Sequence, residues 1–216
     1  CLITSGVDAM AGQTQTLTLQ AGAGRVQAVC DKPQGPSKGL AVVAHPHPLF
    51  GGTMDNKVVQ TLARACVASG WDCLRFNFRG VGQSEGVYDE GRGETEDLIE
   101  LVQALAPDRP LVLAGFSFGA FVICQALQAL WPRGRVQKTL LVGTAVTHFS
   151  APALPADALA SSLVLHGEVD DTVALSAVMD WARPQALPVM VLPGTGHFFH
   201  GQLPLLKTLA MRHLKA

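Results

Sequence analysis

An excess of charge of either sign is missing from this 216-residue chain. Its 16 Lys and Arg face 17 Asp and Glu, for a formal net charge of −1. The basic residues are scattered, which argues against a nucleic-acid surface or a polybasic membrane patch. No apolar stretch approaches the roughly 18 residues of a membrane span. The five cysteines, Cys1, Cys30, Cys66, Cys73 and Cys124, lack any C-x-x-C spacing. They read as buried free thiols acting as small hydrophobes, and a reducing cytoplasm is the simplest compartment. Residues 1–9 have neither a positive n-region nor a continuous apolar stretch, so they do not read as a signal peptide. Residues 1–15 are taken as an N-terminal tail and 16–216 as one domain, long enough for a substantial core.

What is present is hydrophobic, 48% of residues against 15% charged. Short apolar, β-branched runs alternate with segments of helical period. Strands are expected at 25–29, 40–45, 73–78, 111–115, 139–142, 163–166 and 189–192, with 16–20 as an edge strand or hairpin partner. Val58, Val59, Leu62, Ala63, Cys66 and Val67 follow the i, i+3, i+4 rule, and Gly70 closes that helix. Leu98, Leu101, Val102 and Leu105 do the same behind Glu94, Glu96 and Asp97, which suit a helix N-terminus. Further helices are expected over 118–130, 173–182 and 203–214. Runs such as 40–44 and 111–114 are apolar throughout, as in strands covered on both faces by helices. The order implies a doubly wound, mostly parallel α/β sheet, with active groups on loops at the carboxyl ends of its strands.

Between the strand at 111–115 and the helix from 118 stands Gly115-Phe116-Ser117-Phe118-Gly119. A serine at a sharp strand-to-helix turn is strained, and small residues two before and two after it remove the clashes and push the hydroxyl outward. An elbow serine needs a base, and the base needs a carboxylate. Two later strand ends supply candidates in the order required: Gly167-Glu168-Val169-Asp170-Asp171, then Gly194-Thr195-Gly196-His197.

These residues resemble the α/β-hydrolase superfamily, and within it the small lidless bacterial predicted serine hydrolases marked by H-P-H-P-x-x-G-G-T-M-D-N. That motif matches the stretch from His45 to Asn56. Further matches run from Arg75 to Gly86, through the elbow, over His166-Gly167-Glu168-Val169-Asp170, and over Gly196-His197-Phe198-Phe199-His200. The resemblance implies an α/β-hydrolase fold without a large lid, with Ser117 as nucleophile, Asp170 as acid and His197 as base. It favours Asp170 over Asp171, which is then expected to begin the next helix. His197 is preferred to His200 because the tight turn at Gly194 and Gly196 aims it.

An oxyanion needs two backbone N–H donors, and the residue after the nucleophile, Phe118, supplies one. The loop after 40–45 supplies the other. Pro46 and Pro48 have no N–H, which leaves His47 or Leu49, with Leu49 preferred. His45 and His47 form an H-x-H pair but have no carboxylate-rich cluster beside them, so neither metal nor cofactor is expected. Ser84 and Asn77 read as structural anchors of a turn, and His148 and His166 as ordinary strand-end histidines. Of Phe50, Phe116, Phe198 and Phe199, at least half are expected in the core.

The activity implied is carboxylesterase-type acyl transfer to water on a small-molecule acyl substrate. The connection at 147–160 is too short for a multi-helix cap, which suits small or soluble esters. Peptidase, thioesterase or acyltransferase chemistry on the same triad is the alternative enzyme reading, and a non-catalytic binding module is the alternative outside enzymes. No pattern in the chain speaks to oligomeric state.

Overall fold

The computed structural model describes residues 12–216. The tail expected at 1–15 therefore lies mostly outside the described residues, but Thr14 and Gln15 already belong to the first strand. That strand, β1 (Thr14–Ala21), pairs antiparallel with β2 (Gly24–Asp31) as a hairpin. There follow β3 (Leu40–Ala44), α1 (Lys57–Ala68), β4 (Asp72–Phe76), α2 (Arg92–Leu105), β5 (Leu111–Phe116) and α3 (Phe118–Leu130). The chain continues through β6 (Val136–Val142), β7 (Ser162–Gly167), α4 (Leu175–Ala182), β8 (Val189–Leu192) and α5 (Leu203–Lys215).

The sheet has the order β1-β2-β4-β3-β5-β6-β7-β8. β2 meets β4 antiparallel, and every pairing from β4 onward is parallel. The order doubles back between β4, β3 and β5, the kind of crossover at which α/β sheets place their ligand clefts. The all-apolar strands divide their side chains between two cores. Val42 and Leu113 face one with α2 and α3, while Val43 and Val112 face the other with α1 and α5. Each fully buried Val or Leu contributes roughly 1.5–3 kcal/mol. That two-sided burial holds the central strands rigid and, with them, the loops that leave their carboxyl ends.

Several element ends differ from the sequence reading by a few residues, and at two of them a side chain bonds the backbone nearby. β4 stops at Phe76 instead of Phe78, because the Phe78 N–H turns to donate to the His45 ring, 3.0 Å away. α4 starts at Leu175, two residues after the expected 173, and Asp171 does not open it: Asp170 Oδ1 accepts the N–H groups of Thr172 and Val173 at 2.9 and 2.7 Å in a turn that precedes the helix. Between β6 and β7 lies only the stretch 143–161, with a single short 3₁₀ turn at Ala156–Ser161. No helix of the described residues is long and apolar enough to cross a membrane.

Candidate active site

β5 delivers Ser117 at the centre of the sheet. Its φ of 56° and ψ of −116° lie outside the ordinary regions for a side-chain-bearing residue, a conformation that costs of order 1–3 kcal/mol. Hydrogen bonds over-determine the strained turn. The Ser117 N–H donates to Val142 O at 2.8 Å, and its carbonyl accepts the N–H of Ala120 at 3.0 Å. A side chain at Gly119 would collide with the carbonyl oxygens of Ala44 and His45. The elbow glycine thus lets the first turn of α3 rest on the end of β3.

The acid and histidine loops leave adjacent strands and are stitched to each other. Glu168 N–H donates to Leu192 O at 3.0 Å and Val169 N–H to Thr195 O at 3.1 Å. The Glu168 carboxylate in turn accepts the Gly194 N–H at 2.8 Å. Gly167 packs so closely on the Thr195 carbonyl that no Cβ would fit. The pairing brings the three residues read from the sequence into one chain of hydrogen bonds. His197 Nε2 lies 3.0 Å from Ser117 Oγ, and His197 Nδ1 lies 2.7 Å from Asp170 Oδ2. All three side chains are buried or nearly so.

Burial pushes the Asp170 carboxyl up. Donors from His197, Val173 and Thr172 outweigh that push and hold it below the ordinary carboxylate value. An ionised Asp170 favours the tautomer with the proton on Nδ1, leaving Nε2 free to take the serine proton. Asp171 is exposed and makes only a long 3.5 Å contact with the Thr172 hydroxyl. His166, fully buried, lies beneath: its Nε2 donates to Val173 O at 2.8 Å and sits 3.6 Å from Asp170 Oδ2. In the sequence His166 reads as an ordinary strand-end histidine. Its H-G-x-x-D spacing, which puts it four residues before the acid, was the available signal.

The loop after β3 separates the two oxyanion candidates. Leu49 is 65% exposed, and its N–H donates to His47 Nδ1 at 3.2 Å, capping a one-turn 3₁₀ helix at Pro48–Phe50. The His47 N–H donates to no carbonyl or side chain among the described residues. The H-x-H pair does not converge on a common point. The His45 ring is tied to Pro46 and Phe78, while His47 faces the cleft among Phe50, Tyr88, Phe118 and Phe149. Burial, and after it the nearby His148 ring, lower the His47 pKa. Asn77 Oδ1 accepts the Met54 N–H at 2.9 Å, and the Ser84 hydroxyl donates to the Asn77 carbonyl at 2.7 Å, so both anchor backbone turns. Of the four phenylalanines, Phe116 and Phe199 are core, whereas Phe50 and Phe198 stand exposed at the cleft.

The cleft that opens on Ser117 holds about 360 Å³. Phe50, Phe118, Phe149, Phe198 and Val173 give it largely apolar walls, with His47 and His148 as its polar edge. A larger groove of about 730 Å³ runs between Asp31, Arg64 and Lys207 and includes no residue of the triad.

Burial of His45 predicts a pH effect on stability. Its pKa is held down to about 4, mainly by burial, which the bond to Pro46 only partly offsets. Between about pH 6.5 and that value the unfolded chain binds a proton that the folded chain refuses, so stability falls as pH falls. At the lower end of the window this residue alone costs about 3 kcal/mol. Below that, stability that Asp170 supplies above the ordinary carboxylate range is lost as pH falls through its depressed folded pKa. Urea unfolding at pH 7 and 4.5 measures the effect, and His45→Asn is expected to flatten the difference. A midpoint that is the same at both pH values would contradict it.

Comparison with known proteins places this geometry in a family. A family model described as alpha/beta hydrolase fold matches residues 47–186. A protein of Rickettsia prowazekii, described as uncharacterized, is 31% identical over 189 residues, covering 82% of this chain and 78% of its own. Among solved structures, an α/β serine hydrolase without a lid from Xanthomonas campestris is 34% identical, covers 97% of each chain and has a TM-score of 0.83. An α/β serine hydrolase homologue from Coxiella burnetii is 33% identical, with a TM-score of 0.80 over 96% of this chain and 100% of that one. With its eight-stranded, mostly parallel sheet and a matched model spanning more than half its length, this chain belongs to the α/β-hydrolase fold family.

Proposed function

We propose that the protein is a carboxylesterase-type serine hydrolase that cleaves small, uncharged acyl esters through an acyl-enzyme intermediate. One observation carries the reading: the unbroken Ser117–His197–Asp170 chain, at 3.0 and 2.7 Å, opens onto an apolar cleft. In the first step His197 Nε2 takes the Ser117 proton as Oγ attacks the carbonyl carbon, and Asp170 stabilises the imidazolium that forms. The oxyanion is held by the Phe118 N–H, which as the first residue of α3 has no intrahelical acceptor. The second donor in this reading is the His47 N–H instead of that of Leu49, whose hydrogen is directed at the His47 ring. Collapse of the tetrahedral intermediate breaks the ester C–O bond, and His197 returns the proton to the leaving alkoxide. A water activated by the same histidine then releases the acid and restores Ser117.

The walls support the substrate class. Among the described residues, the titratable groups lining the cleft are three histidines, with no Lys, Arg, Asp or Glu to greet a charged acyl chain. The short 143–161 connection leaves the mouth uncovered. Short p-nitrophenyl esters are expected to give the highest kcat/KM in a panel that includes acyl thioesters and aminoacyl amides, with no rate jump on emulsified long-chain triglyceride. Higher kcat/KM on thioesters or amides would transfer the triad to thioesterase or peptidase chemistry. Strong interfacial activation would contradict the open site.

A further inference from the structure

The triad leaves two fully buried histidines outside it: His166, packed beneath Asp170, and His45. His45 stands just past the end of β3, and its Nε2 accepts the Phe78 N–H at 3.0 Å. That donor assigns the ring's single proton to Nδ1. Nδ1 in turn lies 2.6 Å from the Pro46 carbonyl oxygen and donates to it. We propose that His45 is a positioning residue for the oxyanion hole, pinning the Pro46 carbonyl so that the N–H of the same peptide, that of His47, is aimed at the oxygen developing beside Ser117. This rests on reading Ser117 as an acyl-transfer nucleophile.

The warrant is the geometry of one peptide unit. In a planar trans amide the C=O and N–H point in opposite directions, and the Pro46–His47 bond is trans. Anchoring the oxygen on the buried side therefore presents the hydrogen on the other. The next carbonyl is held as well, since His47 O accepts the N–H groups of Phe50 at 3.2 Å and Gly52 at 3.0 Å. Gly52 completes the clamp: a Cβ there would run into the carbonyl oxygens of both Pro46 and His47. Gly119 seats the start of α3 against the carbonyls of Ala44 and His45. The Phe118 and His47 amides thus belong to two segments in direct contact. Burial keeps His45 neutral at ordinary pH, so the Nδ1–H donor persists. Without it the peptide is free to rotate and turn a carbonyl, an acceptor, toward the oxyanion.

Two replacements separate the clamp from mere packing. Glutamine places its amide near the position of Nε2, where it can accept the Phe78 N–H but offers nothing to Pro46. Asparagine places its amide nitrogen near Nδ1, where it can donate to Pro46. On short p-nitrophenyl esters, His45→Gln is expected to lower kcat by about 10²–10³-fold, the loss typical of one oxyanion donor. KM should change little, because the interaction forms only in the transition state. His45→Asn should recover most of the loss. Gly52→Ala, which displaces the Pro46 carbonyl and leaves His45 intact, should lose kcat in the same way. Wild-type kcat in both His45→Gln and Gly52→Ala would overturn the clamp. So would equal losses in Gln and Asn that track a lowered melting temperature, since that pattern means packing alone. A wild-type protein inactive on every ester would overturn the hydrolase reading itself, and the clamp with it.

Discussion

Ser117→Ala is expected to lower kcat/KM on short esters by about 10⁴-fold or more while leaving the melting temperature close to that of wild type. The loss follows from removing the one atom that forms the covalent intermediate, and residual turnover would come from the oxyanion donors and substrate binding alone. Stability should change little for two reasons. Alanine keeps the Cβ, so the positive φ of 56° is neither relieved nor worsened. The backbone bonds that hold the turn, to Val142 O and from Ala120 N–H, also remain. Steady-state kinetics with a thermal melt test this together. A loss of less than tenfold in a folded variant would remove Ser117 from the chemistry.

Asp170→Asn is expected to cost on the order of 10⁴-fold in kcat, and the surrounding bonds show why the swap is severe despite its equal size. Oδ1 of Asp170 accepts two backbone N–H groups, from Thr172 and Val173, and Oδ2 faces His197 Nδ1. In the asparagine variant the backbone donors hold the amide oxygen in the Oδ1 position. The amide NH₂ is then left facing His197, a donor against a donor. To pair with it the ring must give up the Nδ1 proton and carry it on Nε2, where it cannot take one from Ser117. Asp171→Asn, at the exposed neighbour, should leave kcat within about twofold, as surface changes generally do. Comparable losses in both variants would contradict the assignment of the acid.

Those backbone donors also show where sequence reading stops. The order Ser117, Asp170, His197 was legible because each follows an apolar strand in a fixed topological order. β5 and α3 were legible because the change of hydrophobic period brackets the elbow. Asp171 was misplaced at a helix start because local capping logic favours a carboxylate there. In the folded chain Asp170, not Asp171, takes the adjacent N–H groups, in a turn that precedes α4, which opens at Leu175. The choice between His47 and Leu49 was not legible, since the prolines exclude two amides and treat the other two alike. For the proposed oxyanion hole it turns on the His47 ring, which caps the turn at Pro48–Phe50 and engages the Leu49 N–H. The early end of β4 has the same kind of origin. Phe78 reads as strand by propensity, yet its N–H goes to a histidine 33 residues earlier in the chain. Pattern captures what repeats along the chain, whereas these features depend on single side chains that reach backbone groups in other segments.

The central claim is that Ser117 is an activated nucleophile. A fluorophosphonate probe tests it most directly, because it reacts with a serine only where a base has made the hydroxyl nucleophilic. Wild-type protein is expected to carry one adduct, mapped by peptide mass spectrometry to Ser117, and Ser117→Ala, His197→Ala and Asp170→Asn are expected to carry little or none. A folded wild-type protein that stays unlabelled, or an adduct on another residue that survives Ser117→Ala, would contradict the account.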